Sequence, residues 1–205
     1  NKEAVRKALL TAMALHCKNP DEVIFDRKNY FYPDLPKAYQ ITQVTKPMGK
    51  DGYLDILVKG TPKRVYIHQL HLEEDTASLE HDTKFSLIDY NRSGVPLIEI
   101  VTEPCIESAD EAVTFLEDLK DVFLFLGVSE AKSNYGQMRC DVNISLMEEG
   151  SDKLGTKVEM KNINAFTSVR DAIENEIKRQ SEILLKGEKV IQETRRIAED
   201  GKTYS

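Results

Sequence analysis

The sequence predicts an α+β fold, a mostly antiparallel or mixed sheet with flanking helices. Strand-like segments come in hairpin-like pairs, helices with clear start and stop signals stand apart from them, and the 205 residues hold no internal repeat. Residues 2–16 make an amphipathic helix, with Ala4, Val5, Ala8, Leu9, Ala12 and Leu15 on one side. Residues 53–58 and 64–72 are strands joined through Lys59-Gly60-Thr61-Pro62-Lys63. Residues 84–90 and 95–101 form a second apolar pair around Asn91-Arg92-Ser93-Gly94. The helix over 109–126 has the clearest signals. Ser108 and Glu111 make a capping box, apolar residues recur at 112, 115, 116, 119, 122, 123 and 126, and Gly127 ends it. A further helix over 166–186 aligns Val169, Ile173, Ile177 and Leu184. Asp171 and Glu174 lie near its start, Lys178, Arg179 and Lys186 towards its end, and Gly187 follows.

A chain of this length buries a substantial core in one or two domains, and its 40% hydrophobic content with mixed charges describes an ordinary globular protein. No apolar run approaches the roughly 18 residues of a membrane span, and no signal peptide is visible. A cytoplasmic location, in a bacterium or an organelle, is therefore expected, with no membrane partner. The opening Asn1, where an initiator Met would stand, and the close at Ser205 predict an internal segment of a longer protein. A net charge of −7 argues against indiscriminate nucleic-acid binding and leaves room for a local basic groove. Cys17, Cys105 and Cys140 are widely spaced and form no CxxC, which predicts a reducing compartment without disulfides or a structural zinc.

Residues 138–162 hold the most informative pattern. In Met138-Arg139-Cys140-Asp141-Val142-Asn143-Ile144-Ser145-Leu146 every second residue is apolar. After a polar loop, Lys157-Val158-Glu159-Met160-Lys161 alternates again. Successive strand side chains point to opposite faces, so Arg139, Asp141 and Asn143 share one. Pairing the strands with Val158 and Met160 beside the first apolar set adds Lys157, Glu159 and Lys161 to that face. One reading is a solvated surface laced with weak ion pairs. The other is a site for a divalent cation and a polyphosphate, where carboxylates hold Mg2+ and the cations neutralise phosphoryl oxygens.

Two other stretches carry chemistry. Residues 25–40 crowd cations, aromatics and two prolines into an otherwise aperiodic segment. It predicts a packed loop over a site, with Arg27 and Lys28 reaching phosphates and tyrosines stacking on a base; an aromatic-anchored structural loop is the alternative. Leu70-His71-Leu72-Glu73-Glu74-Asp75 ends a strand in three successive carboxylates, whose repulsion a bound cation would relieve. A solvated strand end is the alternative there. His68, His71 and Glu74 invite a zinc reading, but extended backbone sends the two histidines to opposite faces. Gly201-Lys202-Thr203 echoes the end of a P-loop, yet Arg196 stands where that motif needs Gly, and no GxGxxG occurs. ATP, if bound, lies on a sheet surface.

Six stretches resemble one family in register. They are Phe25 to Asp34, Leu70 to Asp75, Ser86 to Pro104, Met138 to Ser145, Gly155 to Asn162, and Gln192-Glu193-Thr194-Arg195-Arg196. Together they look like the B subunit of the glutamyl-tRNA(Gln)/aspartyl-tRNA(Asn) amidotransferases. The resemblance implies a kinase-like catalytic domain over 1–205, related in fold to the glutamine synthetase catalytic domain and truncated at both ends. The helical tail domain that contacts tRNA would follow Ser205. The resemblance also implies a carbon–nitrogen ligase that uses ATP and Mg2+ to phosphorylate the side-chain carboxylate of Glu-tRNA(Gln) or Asp-tRNA(Asn). Ammonia from glutamine then displaces the phosphate, with the A and C subunits of the amidotransferase completing a heterotrimer. Carried over by motif, Glu74, Asp141 and Glu159 hold metal, and Lys28, with Arg139 and Lys161, faces nucleotide phosphates. Departures are Cys105, where the family has Asp, and Ser133-Asn134-Tyr135-Gly136 in place of an acidic approach to the following strand. A few tRNA contacts are expected from Arg195 and Arg196, beside Lys178 and Arg179. A ligase acting on a free amino acid, or a scaffold without Mg2+, would be the competing classes.

Overall fold

The computed structural model of the chain describes residues 1–163, 165–197, 203 and 204. The P-loop echo at 201–203 therefore falls largely outside the described residues. The chain divides into two compact units, Asn1–Asp55 with Arg64–Cys105 and Ile56–Lys63 with Ile106–Ser205. The class is α+β as expected: the described residues hold three α-helices, and their strand ladders are antiparallel apart from one.

In the first unit α1 (Lys2–Ala14) starts at Asn1, whose side chain accepts the Glu3 N–H at 3.0 Å, and buries Ala8, Thr11 and Ala12. Strands β1 (Asp26–Asn29) and β2 (Tyr39–Thr42) form an antiparallel pair. Next come β3 (Gly49–Val58) and β4 (Thr61–Glu74), both longer than the sequence predicted; their closed end, Ile56–Lys63, is counted with the second unit. The hairpin closes on Lys59 and Gly60 alone, at φ 48° and 87°, the positive-φ pair that a two-residue turn between twisted strands demands. Val65, Ile67, Leu70 and Leu72 of β4 are core residues.

The expected pairing of 84–90 with 95–101 does not form. Instead β5 (Ser78–His81) pairs with β6 (Ser86–Asp89), while β7 (Pro96–Thr102) joins β4 in the order β3-β4-β7. Local hydrogen bonds account for the switch. The Asp82 N–H donates to the Phe85 carbonyl at 2.9 Å and closes β5 onto β6. Asp75 N–H to Val95 O (2.7 Å) and Gly94 N–H to Asp75 O (2.9 Å) deliver the chain straight into the ladder of β4.

In the second unit α2 (Ala109–Phe125) is capped as predicted. Ser108 Oγ accepts the Glu111 N–H at 3.2 Å, while Glu111 reaches back to the Glu107 N–H at 2.8 Å, one residue earlier than in a standard capping box. Strands β8 (Cys140–Ile144) and β9 (Val158–Ile163) follow, then α3 (Phe166–Leu185), β10 (Thr194–Ile197) and β11 (Thr203–Tyr204). They make one sheet ordered β11-β10-β9-β8, in which β9 and β10 run parallel. Helix α3 packs on β8 and β9, where Val158, Met160, Ile144 and Ile163 are buried along with Val169, Ala172 and Ile173 of the helix.

The apolar line expected on α3 is corrected in its second half. Ile177 and Leu184 are exposed, and Glu176 and Gln180 are buried instead. Both are satisfied. Glu176 accepts from Arg179 at 2.7 and 2.9 Å and from Gln180 at 2.9 Å, Arg195 lies 3.8 Å away, and Gln180 also donates to the Ile144 carbonyl at 3.2 Å. A buried carboxylate with this many donors is stable only while they stay together. Glu176→Ala, which leaves Arg179 and Arg195 to share Glu193, should cost about 1.5–3 kcal/mol in urea unfolding of the full-length protein. A loss below about 1 kcal/mol, the scale of a surface pair, would remove Glu176 from the stabilising network.

Candidate functional site

Strand alternation and the pairing of β8 with β9 sort the central residues. Val142 pairs with Met160 and Ile144 with Val158, the register expected from the sequence, and these four turn towards α3. Burial of the Cys140 thiol, with the charge of Asp141, pushes its pKa up to about 12, as suits an inward residue. Asp141 and Asn143 therefore face out, and Asn143 stands opposite Glu159. Lys161 Nζ lies 3.5 Å from Glu159 Oε1. The structure thus brings Asp141, Glu159 and Lys161 onto one open face. Arg139 and Lys157 precede their strands, so alternation no longer assigns them to it.

Strand β10 adds residues to this face that the sequence did not place there. Its parallel register sets Thr194 beside Glu159 and Arg196 beside Lys161, and Thr194 Oγ1 donates to Glu159 Oε2 at 3.0 Å. Arg195, between them, turns inward: it is 3.8 Å from Glu176 and 2.7 Å from Glu193. The basic cluster expected for tRNA is thereby corrected. Arg179 and Arg195 pair with the same two glutamates, and Arg196 faces the other way. The missed signal is the period-2 alternation of Thr194-Arg195-Arg196 itself, too short to read without the neighbouring strand.

In the first unit each member of the crowded Glu73-Glu74-Asp75 run has a cationic partner of its own. Glu74 accepts from the Lys37 ammonium and from the Ile41 N–H at 2.9 Å, and Asp75 pairs with Arg92 at 3.0 Å. Glu73 accepts from Thr42 Oγ1 at 2.8 Å and lies 3.3 Å from His71 Nε2. Glu99, opposite His71 on β7, is 3.4 Å from the same nitrogen. His68 turns away and meets Glu103 at 2.7 Å, so the two histidines do not converge, as expected. His71, Glu73 and Glu99 offer three ligand atoms within 4.8 Å of one another, a grouping that takes either a cation or a proton on His71. Glu99 was missed because its place opposite His71 depends on the unforeseen β4–β7 pairing.

Residues 25–40 are a hairpin with a long connection, and only some of its aromatics pack: Tyr30 and Tyr39 are half-buried. Phe31 is 93% exposed and Tyr32 is exposed, while Leu35 is buried. Tyr39 is flanked by Arg27, whose guanidinium lies 4.4 Å from the ring centre, and by Lys37 at 4.9 Å. Lys28 is exposed opposite Gln40, a residue that donates to Glu73 at 3.4 Å, and its charge acts on Glu73. Lys28 and Glu74 thus belong to the first unit, Asp141, Glu159 and Lys161 to the second.

Burial disfavours the imidazolium of His71, yet hydrogen bonds to Glu73 and Glu99 and their charges outweigh it and lift its pKa to about 9. Burial would raise Glu73, but hydrogen bonds from His71 and Thr42 and the charges of His71 and Lys28 hold it below the usual carboxylate range. The signs differ. Stabilisation by His71 is complete below its ordinary 6.5 and is lost as pH rises through about 9. Stabilisation by Glu73 is present above its ordinary 4.5 and is lost as pH falls. In metal-free buffer, stability should therefore decline from pH 6.5 towards 9, with His71→Gln flattening the decline. An NMR titration of His71 with a midpoint near 6.5 would contradict this.

Sequence comparison adds relatives to this geometry. The B subunit of the aspartyl/glutamyl-tRNA(Asn/Gln) amidotransferase from Macrococcus caseolyticus is 52% identical over 204 residues, covering 99% of this chain and 43% of that protein. The protein of the same name from Geobacillus thermodenitrificans is 53% identical over 204 residues, with the same coverage. That from Persephonella marina is 50% identical over 206 residues, covering all of this chain and 44% of its own length. The chain thus spans less than half the length of the curated relatives it matches. The sequence pattern of the GatB/GatE catalytic domain matches residues 1–205 throughout, and the chain belongs to that family.

Proposed function

We propose that this chain is the catalytic domain of a tRNA-dependent amidotransferase. It would serve a carbon–nitrogen ligase that activates the side-chain carboxylate of Glu-tRNA(Gln) or Asp-tRNA(Asn). The observation that carries the proposal is the open sheet face of the second unit. Its oxygen donors Asp141, Asn143 and Glu159 are interleaved with Lys161 and Arg196. Hard oxygen donors without thiolate or imidazole suit Mg2+ better than zinc. Bound there, Mg2+ would offset charge on the transferred phosphoryl group.

The chemistry then needs little from the protein beyond placement. The substrate carboxylate attacks the γ-phosphorus of ATP, the bond to the β-phosphate oxygen breaks, and ADP leaves. Ammonia attacks the resulting acyl phosphate, inorganic phosphate departs with the bonding pair, and the nitrogen sheds a proton as the amide forms. A carboxylate is inert to ammonia until this exchange turns one oxygen into a leaving group. Lys161 and Arg196 compensate charge spread over the phosphoryl oxygens, with Arg139 proposed for the same task. Lys28 is proposed to hold nucleotide phosphates, and Glu74 to contribute a metal ligand, on motif likeness in the first unit. The name shared by the relatives supports the tRNA substrate. A glutaminase chain supplying ammonia (the A subunit), and a third chain (the C subunit) completing a heterotrimer, belong to the same proposal. So do a fold related to glutamine synthetase and a tRNA-contacting tail beyond this segment.

In the full-length assembly, Asp141→Asn or Glu159→Gln should lower ammonia-dependent transamidation at least tenfold, about 1.4 kcal/mol or more, while glutamine hydrolysis persists. Equal loss of both activities would sink the metal role. Lys28→Ala should slow carboxylate phosphorylation by about tenfold or more, read from transfer of labelled γ-phosphate to Glu-tRNA(Gln). Wild-type kinetics at limiting ATP would make Lys28 a structural residue.

A further inference from the structure

We infer that Thr194 is a positioning residue: its hydroxyl fixes the orientation of the Glu159 carboxylate for cation binding on the open sheet face. The inference rests on the metal reading of Glu159 above. Thr194 Oγ1 donates to Glu159 Oε2 at 3.0 Å, while Lys161 approaches the other oxygen, Oε1, at 3.5 Å. The two carboxylate oxygens therefore have different neighbours, one held by a neutral donor and one beside an ammonium on a flexible stem. A bound cation can replace the ammonium at Oε1 without disturbing the hydroxyl at Oε2.

The donor itself is held firmly. Strand β10 is tied to β9 by the Glu159 N–H donating to the Glu193 carbonyl at 3.1 Å, and the parallel register puts Thr194 beside Glu159. The next residue, Arg195, is drawn to the opposite face by Glu193 and the fully buried Glu176. That inward anchor keeps the strand from rotating Thr194 away. A β-branched side chain adds stiffness, because its χ1 choices are few. Partners that orient a metal-binding carboxylate typically change metal affinity by about 10–100-fold when removed. A serine at this place would keep the donor and lose only the stiffness.

The test is Mg2+ dependence of ATP turnover by the full-length protein in its amidotransferase assembly, with wild type, Thr194→Val, Thr194→Ser and Glu159→Gln compared. Thr194→Val should raise the Mg2+ concentration for half-maximal turnover about tenfold, with thermal unfolding unchanged, and Thr194→Ser should stay near wild type. An unchanged Mg2+ requirement in Thr194→Val beside a shifted one in Glu159→Gln overturns the role of Thr194 alone. No shift in either variant overturns the metal reading of Glu159 as well. Lowered thermal stability in both threonine variants, at constant Mg2+ requirement, makes the bond a staple between strands and also overturns the inference.

Discussion

The burial of Val158 and Met160 is the constraint on which the second unit depends. Both are fully buried on the sheet face covered by α3, and both pair with inward residues of β8. Because side chains alternate with a period of two, fixing this dry face fixes the charged one. A slip of one residue would bury Glu159 and Lys161 under a helix, which costs far more than any ion pair on the surface returns. The positions of Asp141, Asn143 and Glu159 are thus set by hydrophobic packing on the other side of the sheet. Chemistry on one face is specified by oil on the other.

The same division governs β10, only with charge in place of oil. Its inward residue, Arg195, is drawn in by Glu193 and the buried Glu176, which also gathers Arg179 and Gln180. An ionic anchor of this kind is directional in a way that packing is not, since it names the residue that must turn inward. With Arg195 committed, Thr194 and Arg196 are delivered to the open face. The first unit solves a related problem of crowding. Three consecutive carboxylates would repel one another, and His71, Lys37 and Arg92 each take one of them. Because the protein supplies these cations itself, crowding there does not by itself imply a bound ion.

Legibility in the sequence followed local self-sufficiency. Helix α2 was readable because its cap, apolar stripe and terminal glycine lie within one segment, and the β8–β9 register because one face is dry. What escaped depended on distant partners. Residues 84–90 look ready to pair with 95–101, but β5, with only Leu79 as an apolar signal, takes β6, and two hydrogen bonds at Asp75 hand β7 to β4. Hydropathy placed Ile177 and Leu184 inside α3 and could not anticipate that Glu176 and Gln180 would be buried through donors elsewhere. The aromatics of 25–40 looked costly to expose, yet Phe31 is exposed all the same. For the candidate site, Asp141, Glu159 and Lys161 were readable from alternation, whereas Thr194, Arg196 and Glu99 needed the pairings of β10 and β7.

A sheet face also suits the proposed chemistry better than the loop that more familiar nucleotide folds use. A glycine-rich loop binds phosphate through backbone N–H groups at a helix terminus and gives a metal one hydroxyl ligand of its own. On the face made by β8, β9 and β10 the central strand β9 is paired on both sides, so its contacts with a ligand come mainly from side chains. Neighbouring strands lie about 4.8 Å apart, and same-face residues along a strand about 6.6 Å apart. Two ionised carboxylates such as Asp141 and Glu159 cannot bond each other, and at this pitch one cation with its waters could bridge them. Lys161 and Arg196 are register neighbours on adjacent strands, two like charges that an anion lying across them would bridge. An array of carboxylates and cations at this pitch is therefore best neutralised by a ligand carrying both signs, as a metal–polyphosphate does.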